Sequence, residues 1–172
     1  MKYLRLTTAL FVSLASATLL AADDKPQPPN ILYILCDDLG FGDVHALDPE
    51  HGKIATPNLD RLAAQGMAFT DAHGSSSVCT PTRYCILTGR YNWRTHLQSG
   101  VLQGFSKPLI EPNRLTVPAL LKQHGYHTAC IGKWHLGMDI AASAAAKGQP
   151  APRWPQDFSQ PIKNGPTTVG FD

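Results

Sequence analysis

The chain has 172 residues, of which 43% are hydrophobic and 16% are charged, and its formal net charge is +2. This length accommodates about one domain with a real hydrophobic core, and the composition excludes fibrous and intrinsically disordered proteins. There is no block of basic residues to indicate a nucleic-acid partner and no long acidic run to indicate a solvating tail.

The first residues have the pattern of an export signal. Lys2 and Arg5 precede an apolar run over residues 10–20, and two alanines and a polar segment follow it. The pattern predicts a signal peptide over residues 1–22 and a periplasmic or extracellular protein. The apolar run is shorter than the roughly 20 residues of a transmembrane helix, so no stable membrane span is predicted. The proline-rich residues 23–29 then form a linker.

Residues 30–36 are a continuous apolar run of strand length. Such runs are typical of a parallel strand covered on both faces, although a buried helical segment has the same pattern. Asp37 and Asp38 follow directly, where ligands bind in open α/β sheets. Two adjacent carboxylates favour a hard cation, calcium before magnesium. The alternative is a polar turn with two solvated aspartates.

Two further stretches have the same sequence pattern of a short helix, over residues 56–66 and 116–125. Each begins with a threonine and a nearby proline and ends at a glycine, which are helix start and stop signals. A second strand is predicted over residues 67–72. The alternation of strands and helices indicates an α/β protein with a parallel sheet. Residues 90–118 are predicted to form a long loop over the site.

The segment Cys79-Thr80-Pro81-Thr82-Arg83 predicts the start of a further helix, with Thr80 as the N-cap and Pro81 as the first helical residue. Cys79 then lies just before the helix, beside its unpaired N–H groups. Arg83 adds a positive charge within about one turn, and such a helix terminus binds anions readily. The alternative is an ordinary capped helix with a buried cysteine.

A last informative stretch covers residues 125–137. Residues 127–131 are predicted to form a strand, and if extended geometry continues, Lys133 and His135 point to the same side with Trp134 opposite. A lysine and a histidine that converge there form an anion-binding site with a possible proton donor. The alternative is two surface residues without a shared role.

The remaining cysteines carry no predicted chemistry. The four cysteines do not have the spacing of a disulfide framework or a zinc site. Cys36 and Cys130 each end an apolar run and are predicted to be buried thiols. No role is predicted for Cys85, and residues 141–168 are predicted to form a loop or insertion.

Two motifs together resemble the signatures of the type I, formylglycine-dependent sulfatases of the alkaline-phosphatase-like superfamily. The first is C-x-P-x-R, matched by Cys79, Pro81 and Arg83 and followed by Leu-Thr-Gly-Arg. Thr82 stands where serine is more usual. The second is G-Y-x-T…G-K-W-H-x-G, matched over residues 125–137. The resemblance is to arylsulfatase-like members of the family.

The resemblance implies a three-layer α/β/α fold with a mainly parallel central sheet. Residues 30–172 would be the N-terminal part of a sulfatase catalytic domain. Because family members are several hundred residues long, Asp172 is expected to be a truncation point. The activity implied is the hydrolysis of sulfate esters, either aryl sulfates or sulfated carbohydrates.

The resemblance also assigns roles to individual residues. Cys79 would be oxidised to formylglycine by a formylglycine-generating maturation enzyme, and its hydrate would be the nucleophile. Asp37 and Asp38, with the modified residue 79, would be calcium ligands. Arg83 would support the formylglycine hydrate. Lys133 and His135 would contact the sulfate. Two alternatives remain open: a phosphatase or phosphonate monoester hydrolase of the same superfamily, and an inactive sulfatase fragment.

Overall fold

The computed structural model describes residues 28–143 and 156–172. The chain divides into two compact units, Met1–Asp38 and Leu39–Asp172, which are described separately. The predicted signal peptide (1–22) and most of the predicted linker (23–29) lie outside the described residues. Within the described part of the chain, no helix is long and apolar enough to cross a membrane.

The described residues of the second unit contain three α-helices and irregular segments. The helices are α1 (Pro57–Gln65), α2 (Cys79–Thr88) and α3 (Val117–Gln123). Single 3₁₀ turns lie at Phe41–Asp43, Asn92–Arg94 and Pro166–Val169.

The structure confirms the two proline-opened helices predicted from the sequence. Thr56 is the N-cap of α1, and its hydroxyl donates to the Asp60 carboxylate at 2.8 Å. Thr116 is the N-cap of α3, and its side chain accepts a hydrogen bond from the Ala119 N–H at 3.3 Å. The Thr116 side chain thus satisfies an N–H group for which the helix offers no partner, whereas the Thr56 side chain makes no such capping bond and contacts the first turn through Asp60.

The predicted N-cap of α2 is wrong. The helix begins at Cys79, and Val78 in extended conformation is its N-cap. Pro81 is therefore the third helical residue rather than the first. Proline fits there because the first four N–H groups of a helix have no intrahelical partner. The Thr80 hydroxyl does not cap the helix and is free to make contacts with other segments.

The predicted strands over residues 30–36, 67–72 and 127–131 are not formed as hydrogen-bonded ladders within the described residues. The β-pairing recorded there is two isolated antiparallel bridges, Asp139 with Lys163 and Ala142 with Gln156. The second bridge lies inside the predicted loop over residues 141–168. A strand requires ladder bonds to a neighbour, and an apolar run in the sequence does not supply that neighbour.

The core of the second unit joins α2 to segments without regular structure. Tyr84 of α2 is fully buried, and Leu109 and Leu136 are each 1% exposed. Leu102 and Ile110 complete the cluster. The predicted loop over residues 90–118 is indeed largely irregular, but it supplies three of these five core side chains. The segment 90–118 is therefore part of the interior, and its side chains pack against Tyr84 of α2 in the core cluster.

Backbone hydrogen bonds hold the segment that contains Leu136 in place. The Leu109 N–H donates to the Leu136 carbonyl at 2.9 Å, and the Met138 N–H donates to the Ser106 carbonyl at 3.1 Å. Gly137 lies between them with φ +76°, and a Cβ atom there would be 2.1 Å from the Lys107 carbonyl oxygen. The two segments therefore approach as closely as they do because residue 137 has no side chain.

Candidate active site

The first turn of α2 contacts the segment that contains Lys133 and His135. Thr80 has no exposed surface; its hydroxyl donates to the His135 carbonyl at 3.0 Å and accepts from the Leu102 N–H at 3.2 Å. One buried hydroxyl thus satisfies a donor and an acceptor from two separate segments. Cys79, the residue before it, is partly exposed at the first position of the helix.

Arg83 makes a second connection to the same segment. Its Nη1 donates to the Lys133 carbonyl oxygen at 2.6 Å, a charge-assisted hydrogen bond of the stronger kind. Arg83 and Lys133, which are 50 positions apart in the sequence, are therefore neighbours in the fold. The contact uses the backbone carbonyl of Lys133 and holds this residue beside the first turn of α2.

His135 is held by the segment around Leu102. Its Nε2 lies 2.7 Å from the Leu102 carbonyl oxygen. Because a carbonyl oxygen only accepts, Nε2 must carry the proton in this contact. Nδ1 is buried and has no hydrogen-bond partner among the described residues. In the neutral ring, Nδ1 is therefore the nitrogen with the lone pair.

The expected geometry of the Lys-Trp-His segment is wrong in one respect. His135 has φ +55° and Gly132 has φ +100°, so extended backbone does not continue through this segment. The alternation of side chains that would place Lys133 and His135 on one side does not apply to such backbone. Tertiary contacts from Thr80 and Arg83 hold the segment at α2 instead.

A partly buried polar cluster supports the other end of α2. The Tyr84 hydroxyl donates to Glu111 Oε2 at 2.9 Å, and Arg90 Nη1 donates to Glu111 Oε1 at 2.6 Å. Burial, and then the hydrogen bond to Glu111, raises the pKa of Tyr84. Burial alone would raise the pKa of Glu111, but hydrogen bonds from its own backbone and from Tyr84, with the charges of Arg114 and Arg90, lower it below its ordinary value.

Asp37 and Asp38 belong to the first unit. Both are exposed, and Asp38 has φ +62°, a left-handed conformation that aspartate tolerates better than most residues. Their carboxylates are oxygen donors of the type that calcium prefers, so the donor chemistry fits. Two side chains supply only part of the six to eight ligands that calcium takes. Across residues 28–143 and 156–172, no group of three or more acidic, histidine or cysteine side chains is gathered to hold a metal.

The cysteines differ from expectation at two positions. None of the four forms a disulfide, and Cys36 and Cys130 are exposed rather than buried. Partial burial of the thiol nevertheless raises the pKa of Cys130, while the charge of Arg83 opposes this effect. The positive charge of Arg83 therefore acts on the Cys130 thiol.

A cavity of about 890 Å³ lies elsewhere in the second unit. Its lining includes Lys107, Glu111, Trp134 and Leu136. The predicted site residues Cys79, Arg83, Lys133 and His135 are not among the described residues that line it. The cavity is thus distinct from the cluster around the start of α2.

Comparison with solved structures defines the class of protein. A structure reported in the context of the metabolism of multiple glycosaminoglycans by Bacteroides thetaiotaomicron matches with a TM-score of 0.70 and 39% sequence identity. The match covers 85% of this chain and 27% of that chain. It confirms the predicted fold class, the three-layer α/β arrangement of the alkaline-phosphatase-like proteins, of which this chain corresponds to an N-terminal part.

Sequence comparisons then identify the family. The sulfatase family profile matches residues 29–168. The N-acetylgalactosamine-6-O-sulfatase of Bacteroides thetaiotaomicron is 39% identical over 146 residues, which is 85% of this chain and 26% of that protein. Human arylsulfatase A is 45% identical over 112 residues, covering 65% of this chain and 22% of that protein. Mouse steryl-sulfatase is 42% identical over 143 residues, covering 75% and 23%. The chain belongs to the sulfatase family, and it spans about a quarter of the length of these relatives.

Proposed function

We propose that this chain carries part of the active site of a sulfatase that hydrolyses sulfate esters. The observation that supports this most directly is the meeting of the two motifs. The first turn of α2, with Cys79 and Arg83, is hydrogen-bonded to the segment of Lys133 and His135. Two separate stretches of sequence, one with Cys79 and Arg83 and the other with Lys133 and His135, thereby lie next to each other.

Cys79 is the proposed position of formylglycine, which a maturation enzyme would form from its thiol. The hydrated aldehyde supplies a hydroxyl nucleophile and a second hydroxyl through which the aldehyde re-forms as sulfate leaves. The first position of a helix suits this role because its unpaired N–H groups favour negative charge. The partial exposure of residue 79 leaves its side chain accessible.

The other residues would act on the sulfate group. Lys133 would bind sulfate oxygens through its positive charge, and His135 would hold or deliver a proton at the sulfate or leaving-group side. Arg83 would orient the modified residue 79 while its contact with the Lys133 backbone fixes the two motifs together. Asp37 and Asp38 would supply two carboxylates to a calcium ion, which neutralises charge on sulfate oxygens when bound.

The names of the relatives indicate the substrate class. One relative is named for N-acetylgalactosamine 6-sulfate, and the solved structure concerns glycosaminoglycans. We therefore propose a sulfated carbohydrate as the natural substrate, with aryl sulfates as the alternative. The predicted signal peptide indicates export, and a sulfated carbohydrate substrate is consistent with it. The site of action would therefore be the periplasm or the extracellular space.

The test has two parts. Mass spectrometry of the peptide around Cys79 should show a loss of about 18 Da in protein co-produced with a formylglycine-generating enzyme, since oxidation replaces the thiol by an aldehyde. The same preparation is then assayed with 4-nitrophenyl sulfate, N-acetylgalactosamine 6-sulfate and 4-nitrophenyl phosphate. Sulfate turnover that is lost in Cys79→Ala supports the proposal. Faster turnover of the phosphate ester would indicate a phosphatase, and modification without turnover would indicate an inactive fragment.

A charge variant tests the role of Lys133. Lys133→Ala should lower kcat/KM for the sulfate ester by about 10- to 100-fold, as expected for the loss of an anion-binding charge. Lys53, an exposed lysine, gives the matched control Lys53→Ala, which should retain the kcat/KM of the unsubstituted protein. Full activity in Lys133→Ala would remove Lys133 from the site.

A further inference from the structure

We infer that Thr80 is a positioning residue for His135, and that His135 acts on the sulfate ester through Nδ1. The inference goes beyond the proposed function by naming the group that orients the histidine and the ring nitrogen that reacts. It rests on that function for its kinetic part only. The protonation pattern of the ring can be measured without turnover.

A closed set of hydrogen bonds links three segments of the chain. The Thr80 hydroxyl donates to the His135 carbonyl and accepts from the Leu102 N–H, while His135 Nε2 donates to the Leu102 carbonyl. Each member thus contacts the other two. Thr80 thus holds the backbone of His135, and the Leu102 carbonyl holds its ring.

These hydrogen bonds are shielded from water. Thr80 is fully buried and Leu102 is 6% exposed, so water does not compete readily for these hydrogen bonds. The neighbouring side chain of Leu136 is 1% exposed and packs in the core cluster. The His135 backbone therefore has a packed residue on one side and the Thr80 hydroxyl at its carbonyl.

The hydrogen bond to Leu102 determines the tautomer of His135. Because the Leu102 carbonyl accepts a hydrogen bond from the Nε2–H group, Nδ1 of the neutral ring must be the acceptor nitrogen. A hydrogen bond to one ring nitrogen commonly decides the role of the other. Nδ1 is buried, and it makes no hydrogen bond to any described residue. Nδ1 is therefore the ring atom whose hydrogen-bonding capacity remains for the reaction.

The position of Thr80 in the sequence connects His135 to residue 79. Thr80 occupies the first variable position of C-x-P-x-R, between Cys79 and Pro81. Its backbone belongs to the helix that carries residue 79, and its side chain holds His135. A displacement of Thr80 would change the distance between the nucleophile position and the histidine, which is the kind of error that lowers kcat rather than substrate binding.

The test compares Thr80→Val, which removes the hydroxyl at nearly constant shape, with Thr80→Ser, which keeps it. Thr116→Val is the matched control, because Thr116 is also buried and its hydroxyl also joins two backbone groups, in α3 and at Val169. Turnover of 4-nitrophenyl sulfate is normalised to the formylglycine content measured by mass spectrometry. This correction removes any effect of residue 80 on maturation of Cys79.

The structural readout is a long-range ¹H–¹⁵N correlation spectrum of the full chain labelled with ¹⁵N-histidine. It is recorded at about pH 9, where an ordinary imidazole is neutral. The signals of His135 among the seven histidines are assigned by their loss in His135→Gln. We expect a single Nε2–H tautomer in the unsubstituted protein, in Thr80→Ser and in Thr116→Val. Thr80→Val should show mixed tautomers and a kcat lower by about 10- to 100-fold, with KM changed less than about threefold.

Two results would overturn the inference. One is a proton on Nδ1 of His135 in the unsubstituted protein, and this measurement does not depend on whether Thr80→Val folds. The other is a Thr80→Val protein with both an unchanged tautomer and an unchanged kcat. If the unsubstituted protein hydrolyses no sulfate ester, the proposed function fails, and the spectra still decide the role of Thr80.

Discussion

Substitution of Gly137 by alanine tests how closely the segment around Gly137 approaches the segment around Lys107. The added Cβ would lie 2.1 Å from the Lys107 carbonyl oxygen and 2.8 Å from the Ser106 oxygen. Both neighbours are backbone atoms, which cannot move without separating the segments. The two hydrogen bonds that join these segments, from Leu109 and from Met138, would then be strained or broken.

The expected loss of stability has two parts. Alanine at a left-handed φ costs about 1–2 kcal/mol. Loss of the two hydrogen bonds adds about 0.5–1.5 kcal/mol for each. The free energy of unfolding should therefore fall by about 2–5 kcal/mol, against a total of roughly 5–15 kcal/mol for an ordinary domain.

Urea denaturation followed by tryptophan fluorescence measures this loss, and Gly100 provides the control. Gly100 has φ +71°, almost the same as Gly137, but a Cβ there would meet nothing within 4 Å. Gly100→Ala should therefore cost only the backbone term of about 1–2 kcal/mol. If Gly137→Ala is no less stable than Gly100→Ala, within about 0.5 kcal/mol, the two segments are not packed as described and the reasoning is refuted.

Three further predictions follow from single contacts. Tyr84→Phe removes the hydroxyl that donates to Glu111 and should lower the free energy of unfolding by about 0.5–1.5 kcal/mol; an unchanged urea midpoint would contradict this hydrogen bond. Thr116→Ala removes the N-cap of α3 and should cost about 0.5–2 kcal/mol, seen as a lower thermal midpoint, whereas Thr116→Ser should restore most of it. A hydrogen bond from Lys122, and then one from a backbone N–H, lowers the pKa of Asp172 below its ordinary 3.8. The contribution of ionised Asp172 to the free energy of unfolding is therefore complete well above pH 3.8. This contribution is lost as the pH falls through the lower pKa of Asp172 in the folded protein. Asp172→Asn should accordingly weaken the decline of the urea midpoint in acid, and an identical decline in both proteins would exclude this ion pair as a cause.

The sequence alone determined the family and the local helices. Residues such as Cys79, Pro81 and Arg83 identify a motif because their types and order are rare together, whatever the fold around them. The helices at α1 and α3 were predictable because caps, prolines and terminal glycines act within one turn of the chain. The family assignment and fold class follow from the same residues, and the comparisons confirm both. The roles of Asp37, Asp38, Lys133 and His135 remain predictions from the motifs.

The tertiary structure decided which groups surround these residues. Thr80 looked like an N-cap from its neighbours in sequence, yet its hydroxyl bonds to residues 22 and 55 positions away. Glu111 and Leu102 had no local signal, because each acquires its role from a partner on a distant segment. The apolar runs at 30–36 and 127–131 likewise predicted strands, whereas a strand exists only with a hydrogen-bonded neighbour. Local sequence fixes backbone preferences over one or two turns, but a buried hydroxyl, carboxylate or carbonyl takes the partner that the fold brings to it, because leaving it without one is costly.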